Sequence, residues 1–591
     1  MTAALSHRGP DGEHVWCNRD SAVMLGHRRL AIIDLSPLAA QPMHFLERYH
    51  IVHNGEIYNY LELKQELAKA GYTFETRSDT EVILAAYAHW GESCVDHFDG
   101  MFAFAIWDEQ EQELFAARDR FGEKPFYFFQ SKDVLLFASE LKALFAAGIQ
   151  RQMNLKMLFN YITIGYTDNP EIPEETFFES ISRLPAASRL FYSPFDQNLE
   201  IEKYWDLNKD TLEYKISDAE AVEKFNTLFR ESIRKRLRSD VSIGTSLSGG
   251  LDSSSIAATL HELNSNKLNA FTAVFPGFEK DESAHASIVA NKFGSDHTTV
   301  TVTAAELVKD WDKFLSCQEE PVGSASAFAQ YKVFEKAKEH GVTVLLDGQG
   351  ADETLAGYFK YYKWYWQELF YKRKLFSSGE IRAARKLGVN EPFNIKNVMA
   401  SLLPELASVI LERQYLFNAL NHEDLTHEFV KYQSREAYYT TPELSSLTGL
   451  LYFNTCIHGL GELLRYADRN SMAHGRELRL PFLNHELVEF LFSLPSNFKI
   501  RNGWTKWLLR TAMDPKLPPE IAWRRDKVGF EPPQKQWMQD PAIRERIMEA
   551  RKKLVDERVL KPDVLNKPVR GTDAYVSRPD DWRYLTAAYF M

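Results

Sequence analysis

Through residues 1–200, apolar positions come in short runs such as Ala31 to Asp34, Met101 to Trp107 and Pro125 to Phe129, broken by Gly, Asn and Asp. Such runs predict strands of a few residues separated by turns. Two stretches change to the helical period: Tyr60 to Ala70, through Leu61, Leu63 and Leu67, and Thr80 to His89, through Val82, Ile83, Leu84 and Tyr87. This part of the chain reads as α+β. From Tyr204 to Ala219 the pattern turns polar, with Asn208, Lys209, Asp210 and Asp218, before a long amphipathic helix runs through Val222, Phe225, Leu228 and Ile233. The expected division is therefore 1–205, a linker over 206–220, and 221–591.

Beyond the linker, strand-like and helical runs alternate: Val241 to Leu247, a helix from Ser253, Phe271 to Phe275, a helix from Ser283, Thr298 to Val302, and Val342 to Leu346. Alternation of this kind predicts an α/β doubly wound parallel sheet. From Tyr358 onward the chain is helical and aromatic, with a tail punctuated by Pro562, Pro568 and Pro579 and a final helix around Trp582 to Phe590.

With 591 residues, 45% hydrophobic and 13% aromatic, the chain can bury two or more sizeable cores. A net charge of −12 argues against a nucleic-acid partner, since proteins that neutralise phosphates carry a basic excess. The basic run Arg234, Lys235 and Arg236 reads as a solvated helix face. Cys17, Cys94, Cys317 and Cys456 are scattered without paired spacing, which supports neither a disulfide framework nor a zinc site and points to a reducing cytoplasm. No apolar stretch has the length of a membrane span, and the opening residues lead directly into His7, Arg8 and Asp11 rather than a secretory apolar core.

The strongest chemical signal is Ser248-Gly249-Gly250-Leu251-Asp252-Ser253-Ser254, between a β-branched strand and a helix with Ile256, Leu260 and Leu263 on its apolar positions. Two glycines let successive amide groups point inward, and the helix N-terminus adds its positive dipole end, so the loop is an anion cradle. It lacks the Gly-Lys-Ser/Thr of a Walker loop, which suits chemistry at the α-phosphate of ATP with pyrophosphate leaving. Asp347-Gly348-Gln349-Gly350-Ala351-Asp352-Glu353 follows the apolar strand Val342 to Leu346, and open parallel sheets bind ligands beyond the carboxyl ends of their strands. Both loops are thus expected at one crevice. Asp252 and Asp352 would supply oxygen ligands to Mg2+, with Val274 and Gly348 completing the set that binds ATP and pyrophosphate.

Together these motifs resemble the asparagine synthetase family. The later blocks, Tyr466 to Leu483, Lys506 to Arg510, Leu517-Pro518 and Lys527-Val528-Gly529-Phe530, are similar to that family's C-terminal blocks in the same order. So are, for its class II glutaminase domain, His7 to Gly12, His27 to Asp34, Asn54 to Asn59, Ser78-Asp79 and Ala117 to Asp119. The resemblance implies an Ntn-hydrolase-like αββα sandwich followed by a PP-loop domain. It implies that Arg29, Glu56 and Asp79 bind the carboxylate and amine of glutamine, with Asn54 also in that site. Asn54 and Gly55 would stabilise the oxyanion of the tetrahedral adduct, and Lys506 would neutralise charge at the α-phosphate. The residue types suit these tasks: Arg offers a bidentate fork to a carboxylate, Asp accepts from an ammonium, and an Asn N–H and a backbone N–H can share one oxygen.

Two departures from the family pattern stand out. Its glutaminase uses an N-terminal cysteine, whose thiolate attacks glutamine while its α-amine relays the proton. Here Met1 comes first, so a leading segment is expected to be missing, and Thr2 is a poor substitute. Gln349 stands where many members carry a Glu, and an amide is no base at neutral pH. Glu353 or another carboxylate is the candidate for that role, with the departing phosphate oxygens as the alternative proton acceptor.

A carboxylate resists amidation until ATP activates it. The expected activity is therefore adenylation of a carboxylate, most simply the side chain of aspartate to give asparagine, AMP and pyrophosphate, with ammonia from glutamine. Amidation or cyclisation of another carboxylate in cell-wall, peptide or secondary-metabolite assembly is the alternative within enzymes. A glutaminase-dead protein that only binds nucleotide or a partner is the alternative outside them. The expected partners are small molecules, without nucleic acid or membrane, in a cytoplasmic homodimer.

Overall fold

The computed structural model describes residues 1–209, 216–264, 267–433, 439–443, 445–525, 529–576 and 578–591. Asp210 of the polar stretch and Lys527 and Val528 of the last sequence block lie outside them.

β1 (Gly12–Cys17) and β2 (Met24–Arg29) form an antiparallel hairpin. β3 (Met43–Phe45), β4 (Tyr49–Ile57), β5 (Gly100–Asp108) and β6 (Glu113–Arg118) follow as an antiparallel set. β7 (Tyr127–Gln130), β8 (Leu135–Ala138) and β9 (Ser182–Arg183) make a separate three-stranded sheet. β10 (Ser188–Ser193) and β11 (Asn198–Lys203) then rejoin the larger sheet, giving the order β11-β10-β6-β5-β4-β3.

α1 (Tyr60–Lys69) and α2 (Asp79–Trp90) cover one face of that sheet, packing Leu63, Leu67, Val82 and Ile83 against Phe102, Phe104 and Phe115. On the other face Ala103, Ala105 and Trp107 meet Leu25, Phe126 and Phe128. α3 (Leu141–Ala146) and α4 (Leu155–Ile164) close the outer side, with Leu144 and Leu158 in one core with Tyr127 and Ala138. The result is the layered αββα sandwich expected from sequence.

The run Ala31 to Asp34 is not a strand. Asp34 takes φ +55°, the Ala31 amide donates to Asp11 at 2.8 Å, and Ile32 packs into the core of the C-terminal half beside Phe225 and Phe229. Its apolar side chains thus serve packing between the two halves rather than a pleat.

α5 (Asp218–Arg236) opens with a capping box of Ser217 and Glu220. β12 (Ile243–Ser246), α6 (Leu251–Leu263), β13 (Asn269–Val274), α7 (Ser283–Phe293), β14 (Asp296–Thr301), α8 (Ala304–Gln318), α9 (Ser326–Glu339) and β15 (Val344–Leu346) then alternate. Late in the chain β16 (Glu477–Arg479) adds an edge strand that periodicity did not announce. The sheet is wholly parallel, in the order β14-β13-β12-β15-β16. The chain leaves β12 toward β14 and returns to β15 on the other flank, so the order reverses between β12 and β15, where such sheets hold ligands. Among the described residues no helix is long and apolar enough to cross a membrane.

Of the basic run on α5, only Arg234 is solvated. Arg236 is 1% exposed, and Lys235 reaches Asp99 of the N-terminal half at 2.9 Å. Asp99 also accepts from Asn484 Nδ2 at 3.1 Å. Nearby, Arg8 pairs with Glu140 at 2.9 Å and with Asp468 at 2.8 Å. Buried ion pairs therefore cross between the halves.

Burial opposes charge on Asp99, but Arg236 and Lys235 outweigh it and hold the carboxyl at about 2, below the ordinary 3.8. Its contribution to stability is thus complete above pH 3.8 and lost as pH falls through about 2. Asp99→Asn is expected to cost about 3–5 kcal/mol at neutral pH, because buried cations lose their anion. The acid limb of its unfolding titration should flatten over the same interval. Identical acid limbs for variant and parent would exclude Asp99 as the titrating group.

Candidate active site

β12 ends at Ser246, and the chain turns through Ser248, Gly249 and Gly250 into α6. Gly249 has φ +73°, and a Cβ there would lie 2.3 Å from the Ala286 amide nitrogen, so only glycine lets this loop rest against α7. Within the loop, the Ser253 hydroxyl accepts from the Ser248 amide and the Ser248 hydroxyl from the Gly250 amide, each at 3.2 Å. The cradle is closed by its own serines at the positive end of α6. Ser254 is fully buried behind it, and among the described residues its Oγ has no hydrogen-bond partner.

The loop after β15 meets this cradle. A Cβ on Gly348 would stand 2.8 Å from Asp252 Cβ, and one on Gly350, at φ +89°, would stand 2.4 Å from Leu483 of a later sequence block. Asp352 and Glu353 occupy the short helix Ala351–Thr354. Val274 is half-buried at the end of β13.

Lys506 arrives from a two-stranded hairpin, Ile500–Arg501 paired with Trp504–Thr505, and precedes the helix Trp507–Met513. It has φ +52° and is 3% exposed. Its Nζ lies 2.6 Å from both carboxylate oxygens of Asp252 and 2.6 Å from Asp352 Oδ1. A left-handed non-glycine residue costs of order 1–3 kcal/mol, and the two ion pairs offset that cost where the side chain is needed.

Glu353 is 3% exposed, and its Oε1 accepts from the Tyr358 hydroxyl at 2.6 Å. Burial first, and then Asp352, raise its pKa above the ordinary glutamate value. A raised carboxyl beside a crevice is suited to taking a proton. Burial likewise lifts Asp347 to about 6. Gln349 keeps a buried Oε1 without a hydrogen-bond partner among the described residues.

The second set of predicted residues converges on a cavity of about 240 Å³ between the two sheets of the N-terminal half, lined by Arg29, Asn54, Gly55, Glu56 and Asp79. Gly55 has φ +138°, and a Cβ there would sit 2.0 Å from the Met101 carbonyl, so glycine is required. Asn54 Nδ2 reaches Ser139 Oγ at 3.4 Å, and Arg29 Nη1 donates to the Ser36 carbonyl at 2.8 Å. Asp79 opens α2 and accepts from the Ile57 amide at 2.8 Å, while burial raises it to about 6. The buried Glu56 carboxylate stands 3.6 Å from Arg479 of β16. None of the four cysteines lines this cavity; Thr2 does, with its hydroxyl donating to Glu13 at 2.7 Å. Glu477 of β16 also lines it, so the edge strand of the nucleotide-type sheet borders the cavity of the other half.

A parallel sheet with a lysine-free glycine cradle at its switch point, joined to an αββα sandwich with a polar cavity, defines an amide-forming ligase with an amidotransferase half. Residues 224–589 match the family profile "Asparagine synthase", and residues 1–205 match "Glutamine amidotransferase domain". The chain belongs to the asparagine synthase family. Asparagine synthetase [glutamine-hydrolyzing] 1 of Bacillus subtilis (strain 168) is 31% identical over 553 residues, which span 91% of this chain and 84% of that protein. Amidase chry2 of Gibberella zeae is 28% identical over 585 residues, spanning 91% and 85%. A solved glutamine phosphoribosylpyrophosphate amidotransferase from B. subtilis covers 52% of this chain and 88% of its own at 14% identity, with a TM-score of 0.27, too slight a likeness to argue from.

Sequence reasoning passed over Gly357 and Tyr358. A Cβ on Gly357 would fall 1.7 Å from Asp352 Oδ1 and 2.3 Å from Lys506 Cε, so this glycine makes room for the ion pair. Its only signal was a small residue in Ala356-Gly357 just after a short helix.

Lys506→Ala is expected to lower kcat by roughly 10²–10³, the effect of losing one positioned charge stabiliser. Gly357→Ala should lower kcat in the same direction and lower the unfolding midpoint as well, since it forces apart a buried ion pair. Steady-state kinetics and a denaturation curve on both variants decide this, and a change under about threefold for Lys506→Ala would remove it from the reaction.

Proposed function

We propose that this chain adenylates a carboxylate with ATP and captures the activated acyl group with ammonia, most simply converting aspartate to asparagine with release of AMP and pyrophosphate. The observation that carries this reading is Lys506 held between Asp252 and Asp352 where the two strand-end loops meet. Ser248, Gly249, Gly250 and Ser253 would hold phosphates, with Ser254 supporting the loop from beneath. Val274 and Gly348 would line the nucleotide. Lys506 would hold positive charge at the α-phosphate as the carboxylate attacks.

Two hard oxygen donors from opposite loops fit magnesium, whose remaining positions phosphates and water would fill. When bound, magnesium would offset charge on the leaving pyrophosphate. Glu353 would accept a proton from ammonia, its carboxyl oriented by Tyr358. Arg29, Glu56 and Asp79 would bind glutamine, with Asn54 and Gly55 donating to its oxyanion.

An acceptor other than aspartate is the second reading. It is favoured by Gln349, which brings a neutral amide to the loop bearing Asp352, and by relatives named amidases at 28% and 29% identity. We further take residues 206–220 as the linker and the enzyme as a cytoplasmic homodimer. The net charge of −12 supports the absence of a nucleic-acid partner.

Pyrophosphate release from ATP, measured across a panel of carboxylic acids with ammonium chloride or glutamine as nitrogen donor, tests the reading. Aspartate-dependent release with asparagine as product supports the first form; release only with another acid supports the second; none with any acid overturns both. Asp252→Asn and Asp352→Asn should each abolish magnesium-dependent release while preserving the fold. Near-normal release by either variant would show that its carboxylate is not a metal ligand.

A further inference from the structure

The helix Pro404–Leu420 has two contrasting faces. Toward the molecule, Ser408 is hydrogen-bonded to Thr441, the Tyr415 ring stacks on Tyr439 at 3.9 Å, and Ala419 is buried in the core. On the opposite side Leu403, Leu406, Ile410, Arg413, Phe417 and Leu420 recur at alternating intervals of three and four residues. That is the a/d heptad by which one helix seats against another. Its five apolar members are 45–65% exposed, whereas residues in an occupied seam are buried. Ile395, Met399 and Leu402 are exposed as well, on the helix Ile395–Leu402 that packs against this one.

These eight large apolar side chains present an area comparable with the ~800 Å² per partner that a stable interface buries, and above the few hundred Å² ordinary for a patch on a monomer. Charge narrows the occupant. Residues 395–420 carry two cations, Lys396 and Arg413, and two anions, Glu405 and Glu412, in a chain of net charge −12. A helix that lies on a membrane surface has a polar face rich in Lys and Arg, which this one lacks. A strongly basic or acidic partner would find no complementary field here. A neutral apolar stripe suits a second copy of this chain, since two-fold symmetry brings the same patch from both sides.

Arg413 sets the direction of pairing. In a parallel arrangement the two Arg413 side chains would stand together in the seam. In an antiparallel one, the register that covers the whole stripe puts Leu403 against Leu420, Leu406 against Phe417 and Arg413 against Ile410 of the second copy. Each guanidinium stem then lies over isoleucine while its head reaches water. A single polar residue in such a seam fixes register at some cost in stability. We propose that Pro404–Leu420 and its exposed neighbours form the homodimer face, with the two copies of the helix packed antiparallel. The inference gives a face to the homodimer taken above and rests on that reading, but not on the adenylation.

Sedimentation velocity of the full chain over a range of concentrations measures the dimer Kd. Leu406→Glu and Phe417→Lys should each raise it about 100-fold, the scale of placing an unpaired charge at a central anchor. Far-UV circular dichroism should stay unchanged, because both side chains face outward. The double variant Leu406→Glu with Phe417→Lys should return to within about tenfold of the parent Kd, since the antiparallel register pairs each new anion with a new cation. A dimer indifferent to both single substitutions overturns the face and leaves the homodimer standing. A parent chain that stays monomeric overturns both, and flotation of that monomer with phosphatidylcholine–phosphatidylglycerol vesicles would assign the stripe to lipid instead. Dissociation by the single substitutions without recovery in the double variant overturns the antiparallel seam.

Discussion

One ammonium between two carboxylates holds the crevice in register. Asp252 and Asp352 stand on loops that leave β12 and β15 in opposite senses, and without Lys506 their charges would repel across the gap. Those loops also touch through Gly348 and Asp252, so neither can shift alone. The lysine comes from far along the chain, on a hairpin that the helical C-terminal region must deliver accurately. Much of that region can be understood as the support for one side chain, including its left-handed backbone and the glycine at 357 that leaves it space.

The two halves are joined by packing and buried charge rather than by a tether alone. Ile32 enters the C-terminal core, Asp99 pairs with Lys235, and Arg8 lies between Glu140 and Asp468. Buried pairs add little net stability relative to apolar contacts, but breaking one is costly, and their geometry is directional. They therefore fix orientation. β16 completes the arrangement: it is hydrogen-bonded into the parallel sheet through Glu477 to Arg479, while Glu477 lines the cavity of the other half and Arg479 approaches Glu56. The strand is thus in contact with both halves.

Near the crevice, burial tunes the carboxyl groups in different directions from those at the interface. Glu353 and Asp347 are raised because desolvation exceeds the help they receive, whereas Asp99 is lowered because two cations outweigh the same penalty. The first condition suits proton transfer and the second suits permanent charge. Placement of cations, more than depth, separates the two roles.

Local chemistry was legible in the sequence. The alternation of strands and helices announced the parallel sheet, and Ser248 to Ser254 announced a cradle because glycine conformations and helix polarity are properties of adjacent residues. Polar cavity residues such as Arg29, Asn54 and Asp79 were legible through ordered motifs. Properties that depend on distant partners were not. Ala31 to Asp34 has strand-like composition but docks between halves, and Arg236 sits in a charged run yet is buried, because an apolar or basic stretch does not record what will pack on it. Lys506 carried no sign of its left-handed backbone, and Gly357 none of the ion pair it accommodates. The sequence by itself determined which local elements and which reactive groups this protein has. Only the tertiary structure decided which charges meet and which glycines are indispensable, since electrostatic pairing and steric exclusion act through space between residues hundreds of positions apart.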